Sequence, residues 1–349
     1  MKTDVIKIDK ERFEVKELEK AIYILRKGGL VAFPTETVYG LGGNGLDEEA
    51  AKKIYAAKGR PSDNPLIIHI SDIEALHELS CEIPQAAKQL AKAFWPGPLT
   101  MILKKSDKVP FGTTGGLDTV AIRMPSDFIA LALIRESGVY IAAPSANTSG
   151  RPSPTKAEHV MEDLNGKIDM IIDGGPVGIG LESTIIDLTS DIPTILRPGF
   201  ITQDMLESVI GEVHMDHGVL DSLSDIKPKA PGMKYKHYAP KGDITIYEGN
   251  LTDVTDQINK KAKKKESEGI KVGVIATDET IHSYHYGIIK SIGTRKDNRS
   301  IARNLFALLR EFDDLEIECI YTESFKDAGL GQAIMNRLLK AAGHHVINA

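Results

Sequence analysis

The sequence predicts an α/β protein of two domains: a large N-terminal twisted mixed sheet with helices, and a smaller Rossmann-like α/β C-terminal domain. Three observations predict this. The chain has 349 residues, beyond the roughly 250–300 at which one core gives way to two. Strand-length apolar runs interleave with stretches of helical periodicity, yet several strands follow one another within 170–196, which points to a mixed sheet and not a purely parallel one. Residues 221–242 contain Pro228, Gly232, Pro231, Pro240 and Gly242 and show neither period, after which the strand–helix pattern restarts. The domains read as 1–213 and 243–349, with 214–242 as a linker.

Element by element, 17–27 has helical spacing of Leu18, Ile22 and Leu25 and stops at Gly28-Gly29. Residues 30–33 read as a short buried strand. Asp47 caps a helix through 57, with Glu48 and Glu49 in its positive first turn. Strands are predicted at 66–70, 99–103, 120–123, 139–142, 170–172, 183–187 and 194–196, and helices at 84–94, 128–136 and 155–164, the last capped by Thr155. The second domain reads as strand 244–247, helix 252–264, strands 272–276 and 288–292, helix 300–312, strand 319–321 and helix 331–342.

Composition narrows the function. With 42% apolar and 26% charged residues, the chain is an ordinary soluble globular protein. A net charge of −6 argues against a surface built to coat nucleic acid, while leaving room for a local basic cleft. Cys81 and Cys319 stand far apart, which disfavours a disulfide framework or a zinc site and suits a reducing compartment. The N-terminus has no apolar signal region and no stretch nears the ~18 apolar residues of a membrane span; the expected location is the cytoplasm, without membrane association.

Two polar loops carry the chemistry. Lys58-Gly59-Arg60-Pro61-Ser62-Asp63-Asn64-Pro65 holds two cations in a loop stiffened by prolines, suited to phosphate oxygens. Ala143-Pro144-Ser145-Ala146-Asn147-Thr148-Ser149-Gly150 follows an apolar strand and reads as a polar turn or a nest of backbone donors. Arg123 ends a strand and reads as a carboxylate clamp or a surface ion pair; His69 lies within a strand as a core residue or a neutral donor. Thr35 and Thr37 sit beyond a strand end, where ligands of α/β sheets gather. Gly40-Leu41-Gly42-Gly43-Asn44-Gly45 matches a dinucleotide fingerprint, but six residues separate it from the strand, so these glycines read as a close backbone turn at a site entrance. Lys260-Lys261-Ala262-Lys263-Lys264-Lys265 reads as a solvated helix face. The chain has no G-x-S-x-G elbow, no H-E-x-x-H, no Walker lysine loop and no candidate thiolate. An enzyme with these residues works by positioning and electrostatics.

The ordered motifs Pro34-Thr35-Glu36-Thr37-Val38-Tyr39-Gly40-Leu41, Lys58-Gly59-Arg60-Pro61, Asn64-Pro65-Leu66, Trp95-Pro96-Gly97-Pro98-Leu99-Thr100, Pro144-Ser145-Ala146-Asn147, Glu182-Ser183-Thr184 and Arg197-Pro198-Gly199 closely resemble the YrdC-like domain of threonylcarbamoyl-AMP synthases. His237-Tyr238-Ala239-Pro240 and Gly329-Leu330-Gly331-Gln332 resemble the linker and C-terminal domain of that family's long form. The resemblance implies that L-threonine, bicarbonate (or CO2) and ATP give L-threonylcarbamoyl-adenylate and pyrophosphate, with Mg²⁺ accompanying the triphosphate. It implies a downstream threonylcarbamoyl transferase that acts on the tRNA adenosine beside the anticodon, and a linker that crosses the active site. It assigns Thr35, Thr37, His69, Arg123, Ala143 (through its backbone) and Ser183 to threonine. Asn64, Thr119, Ser145, Asn147, Ser153, Arg197 and Tyr238 go to ATP, together with Lys58 and Arg60, which also serve catalysis. Direct tRNA contact stays open, and an RNA-binding module using the same cleft is the alternative.

Overall fold

A computed structural model describes residues 2–216, 238–325 and 328–349. They divide into two compact units: one runs to Ser149 and resumes at Ser153, and the other comprises Gly150–Pro152 and the C-terminal residues from 238 onward.

In the first unit the strands are β1 (Asp4–Lys7), β2 (Val31–Phe33), β3 (Gly40–Asn44), β4 (Ile67–His69), β5 (Leu99–Lys104), β6 (Thr119–Arg123), β7 (Ile141–Ala143), β8 (Met170–Asp173), β9 (Thr184–Asp187), β10 (Thr194–Arg197) and β11 (His214–Met215). They form one sheet in the order β1-β8-β2-β3-β7-β4-β6-β5-β9-β10-β11. The sheet is mixed: β4 runs parallel to β6 but antiparallel to β7, and β5 is antiparallel to β6 but parallel to β9. Ile68, Met101, Ile122, Ala142 and Ile186 are buried along its centre. The helix Glu19–Arg26 turns Ala21, Ile22 and Leu25 inward, as its apolar spacing requires. Each fully buried Leu or Ile contributes roughly 1.5–3 kcal/mol.

Two local readings change. Glycines 40, 42 and 43 do not make a turn, which begins only at Gly45. Gly40–Asn44 is β3, paired antiparallel with β2 and β7. A methyl on Gly42 would stand 2.6 Å from Ile141 Cγ2 and 2.8 Å from Phe33 Cε1, so close packing of neighbouring strands, not chain reversal, demands glycine there. Thr155 is not a cap: the helix begins at Ala157 with Lys156 in the cap position and no side-chain cap bond. The Thr155 amide instead donates to His159 Nδ1 (3.2 Å).

In the second unit, β12 (Asp243–Glu248), β13 (Val272–Ala276), β14 (Ile288–Ser291), β15 (Cys319–Glu323) and β16 (Val346–Asn348) form a parallel sheet in the order β14-β13-β15-β12-β16. The helices Leu251–Ser267, Asn298–Asp314 and Leu330–Ala341 accompany it, as a parallel sheet needs crossovers. The lysine run lies on the helix Leu251–Ser267, where Lys264 and Lys265 pair with Glu268, in keeping with a solvated face. Most of the expected linker, residues 217–237, lies outside the described residues. No helix among the described residues is long and apolar enough to cross a membrane.

Candidate active site

The helix Glu48–Lys58 is fixed at both ends. Asp47 accepts from the Glu49 amide at its start, and Gly59 closes it in the left-handed region (φ 61°) at its end. Lys58 is thereby placed at the final turn, where its side chain is 1% exposed. A buried ammonium needs acceptors. It finds them in the second polar loop: Nζ donates to the Ser145 and Asn147 carbonyls, with Asn147 Oδ1 at 3.4 Å. The Ser149 amide returns a bond to the Lys58 carbonyl (2.9 Å). The two loops are thus knit directly together. Where the sequence left a nest of backbone donors open, the loop presents carbonyl acceptors from Ser145 and Asn147 to Lys58. Ser145 Oγ donates to Asn147 Oδ1 (2.5 Å), which fixes the amide's orientation.

Arg60 is also buried, and donates to the Asn64 and Pro65 carbonyls (3.3 and 3.2 Å), closing its own loop. Asn64 is 1% exposed, and its Oδ1 has no hydrogen-bond partner. Thr119 opens β6 opposite Lys104. Ser153, fully buried, donates to the Glu182 carboxylate. Tyr238 belongs to the second unit, where its ring stacks on Phe306 (centroids 5.2 Å apart) beneath the Arg337 guanidinium.

A second set of residues comes together through sheet register. His69 of β4 lies beside Arg123 of β6, and Arg123 lies opposite Thr100 of β5. Residues so paired point to one face of the sheet. Ser183, just before β9, places its hydroxyl 2.7 Å from that of Thr100. Arg197 donates to the Ser183 carbonyl and hydroxyl (3.0 and 3.1 Å). Ala143 closes β7 opposite Ile67. Arg123 Nη1 donates to Thr37 Oγ1 (3.0 Å), which stands 2.8 Å from Thr35 Oγ1. Both threonines are buried. Arg123 is no surface ion pair: its side chain is 5% exposed, and Nη2 lies 2.7 Å from Glu36 Oε1.

His69 is fully buried against the edge of Phe33, with Nδ1 3.1 Å from the Ile67 carbonyl. Burial, and then the neighbouring Arg123 charge, depress its pKa to about 3. The ring is therefore neutral at physiological pH. The neutral ring carries one N–H, and the backbone of both Ile67 and Ile141 lies within its reach. A folded pKa below the unfolded value means that the unfolded chain binds the extra proton, so stability falls with pH between about 6.5 and 3. From about pH 7.5 to about pH 5 this one residue is expected to remove about 2 kcal/mol. Denaturant unfolding of wild type and His69→Gln at both pH values checks it; an equal pH dependence in the two proteins would refute the assignment.

Three residues of the site carried no role in the sequence reading: Glu36, Thr100 and Glu182. Each lies inside a motif, but the role of a carboxylate depends on the distant arginine or serine it meets, which local pattern does not encode. Among the described residues, no group of three or more His, Cys, Asp or Glu side chains could hold a metal ion.

The fold and the site define an α/β protein of the YrdC-like class, with buried cations beside buried hydroxyls. Residues 23–199 match the Sua5/YciO/YrdC family model, described as telomere recombination, and residues 201–343 match the threonylcarbamoyl-AMP synthase C-terminal domain. The chain belongs to the two-domain Sua5 family. It is 52% identical to the threonylcarbamoyl-AMP synthase of Bacillus subtilis, over 95% of this chain and 94% of the relative. It is likewise 52% identical to that of Pyrococcus abyssi, over 97% of each. The solved structure of P. abyssi Sua5 complexed with L-threonine superimposes with a TM-score of 0.94 at 50% identity, covering 99% of this chain and 100% of the other.

Proposed function

We propose that this protein joins L-threonine, CO2 (from bicarbonate) and ATP into L-threonylcarbamoyl-adenylate, releasing pyrophosphate. The observation that carries the reading is the buried row of Thr35, Thr37, His69, Arg123, Thr100 and Ser183. It offers a guanidinium for a carboxylate beside several hydroxyls and a neutral imidazole for a side-chain hydroxyl. The L-threonine bound in the P. abyssi relative supports it.

In this reading the bound threonine ammonium first loses a proton, the free amine adds to CO2 and releases a second proton as the carbamate forms, and a carbamate oxygen attacks the α-phosphorus while pyrophosphate departs. No protein nucleophile is required. Charge grows on the phosphate and on the leaving group, where fixed cations stabilise it most. Lys58 and Arg60 are held rigidly for this role by the loops they brace. Asn64 Oδ1, buried without a donor, is an acceptor suited to a nucleotide amine or hydroxyl. Ser145, Asn147, Ser153, Thr119 and Arg197 are assigned to the nucleotide side, and Ala143 offers its backbone to threonine. Mg²⁺ enters as part of the Mg–ATP substrate. The product is a labile mixed anhydride, fit for a transferase that passes the threonylcarbamoyl group to tRNA adenosine.

The test is pyrophosphate release from ATP and Mg²⁺. It is expected only when threonine and bicarbonate are both present, and release independent of either would overturn the reading.

A further inference from the structure

We infer that Glu36 is the ammonium-binding residue of the amino-acid subsite, so that Glu36 and Arg123 together read the two ends of a zwitterion. The inference rests on the amino-acid reading of Arg123 given above. Glu36 Oε1 lies 2.7 Å from Arg123 Nη2, with side-chain exposures of 14% and 5%. Yet neither oxygen of Glu36 has a hydrogen-bond partner, and neither do Nε and Nη2 of Arg123. The two groups meet at ion-pair distance without the alignment of a hydrogen bond. Buried carboxylates and guanidinium N–H groups are normally satisfied, and leaving them bare is costly. Outside the ion pair, Glu36 Oε2 and Arg123 Nε are a buried acceptor and a buried donor with no hydrogen-bond partner.

A ligand that satisfies both must bring a cationic donor and an anionic acceptor within a few ångströms of each other. An α-amino acid does so. A simple carboxylate would answer Arg123 but leave Glu36 bare, and a phosphate would be repelled by it. The charges also balance: the Arg123–Glu36 pair is neutral, His69 is neutral, and a zwitterion adds no net charge to a buried site.

The surroundings hold both groups in place. Thr37 Oγ1 accepts from Arg123 Nη1 (3.0 Å), which sets the guanidinium plane. The Glu36 carbonyl accepts from the Ile179 amide (2.8 Å), and the Thr37 carbonyl from the Gly180 amide (3.0 Å). The backbone that carries Glu36 is thus clamped on both sides of its peptide. A preorganised carboxylate of this kind separates amino acids from hydroxy acids, because the analogue without an amine leaves a buried charge unpaired.

The experiment is calorimetric titration of wild type and Glu36→Gln with L-threonine, with (R)-3-hydroxybutyrate, which keeps the carboxylate and hydroxyl but has no amine, and with ATP. Wild type is expected to prefer threonine by about 30-fold or more, and Glu36→Gln to bring that ratio within about threefold while ATP affinity stays within about threefold. A ratio preserved in Glu36→Gln, with both ligands weakened alike, would overturn the inference and leave Glu36 as a brace for Arg123. Wild type that does not bind threonine at all would overturn the amino-acid reading of the site, and this inference with it. If Glu36→Gln does not fold, Glu36→Asp decides: its carboxylate is expected to keep a ratio above about tenfold, and a ratio within about threefold would overturn the inference.

Discussion

Lys58→Met is expected to lower threonine-dependent pyrophosphate release by about 100-fold or more, the loss of two to three kcal/mol of transition-state stabilisation. It is also expected to cost about 3 kcal/mol of stability. Methionine keeps the length and apolar stem of lysine but removes the ammonium. The Ser145 and Asn147 carbonyls then stay buried without the donor they share, next to Asn147 Oδ1. The two effects separate by experiment. Pyrophosphate release under saturating substrates reports the chemical role, and denaturant unfolding reports the brace. A variant that unfolds more easily but turns over within threefold of wild type would reduce Lys58 to a brace and remove it from the proposed chemistry.

Arg123→Ala is expected to raise the apparent KM for threonine by about 100-fold, with the KM for ATP within about threefold, if Arg123 holds the threonine carboxylate as proposed. The same change leaves Glu36 as a buried, unpaired carboxylate, and breaking such a pair costs about 3–5 kcal/mol. The double variant Arg123→Ala with Glu36→Ala should recover much of that stability without recovering threonine use, because it removes both charges. A rise in KM for ATP equal to that for threonine would contradict the division of the cleft into an amino-acid side and a nucleotide side.

Much of the architecture is legible without coordinates. The helix at 48–58 follows from Asp47, the acidic first turn and Gly59, all of which act within a turn of the helix ends. The strands at 67–69, 99–104 and 119–123 follow from apolar runs bounded by polar or proline-rich loops. The failures have a common cause. β3 is hidden because glycine carries no strand signal, and the need for glycine at position 42 comes from Phe33 and Ile141 on neighbouring strands. Thr155 carries a capping side chain, but its amide is drawn to His159 and the helix starts two residues later. Glu36 stood in a motif, while its relation to Arg123 appears only when the residues near β2 and the end of β6 come together.

What the sequence determined by itself is local and chemical: which stretches are helical, most of the strand runs, two polar loops rich in cations and hydroxyls, and no nucleophile between them. What only the tertiary structure decided is which of those groups lose water and whom they meet. Lys58 meets a loop 87 to 89 positions away, and Arg123 a hydroxyl 86 positions away. Caps and periodicity act over a single turn. Desolvation and charge pairing act through space, and their sign and size depend on distances that no local pattern encodes.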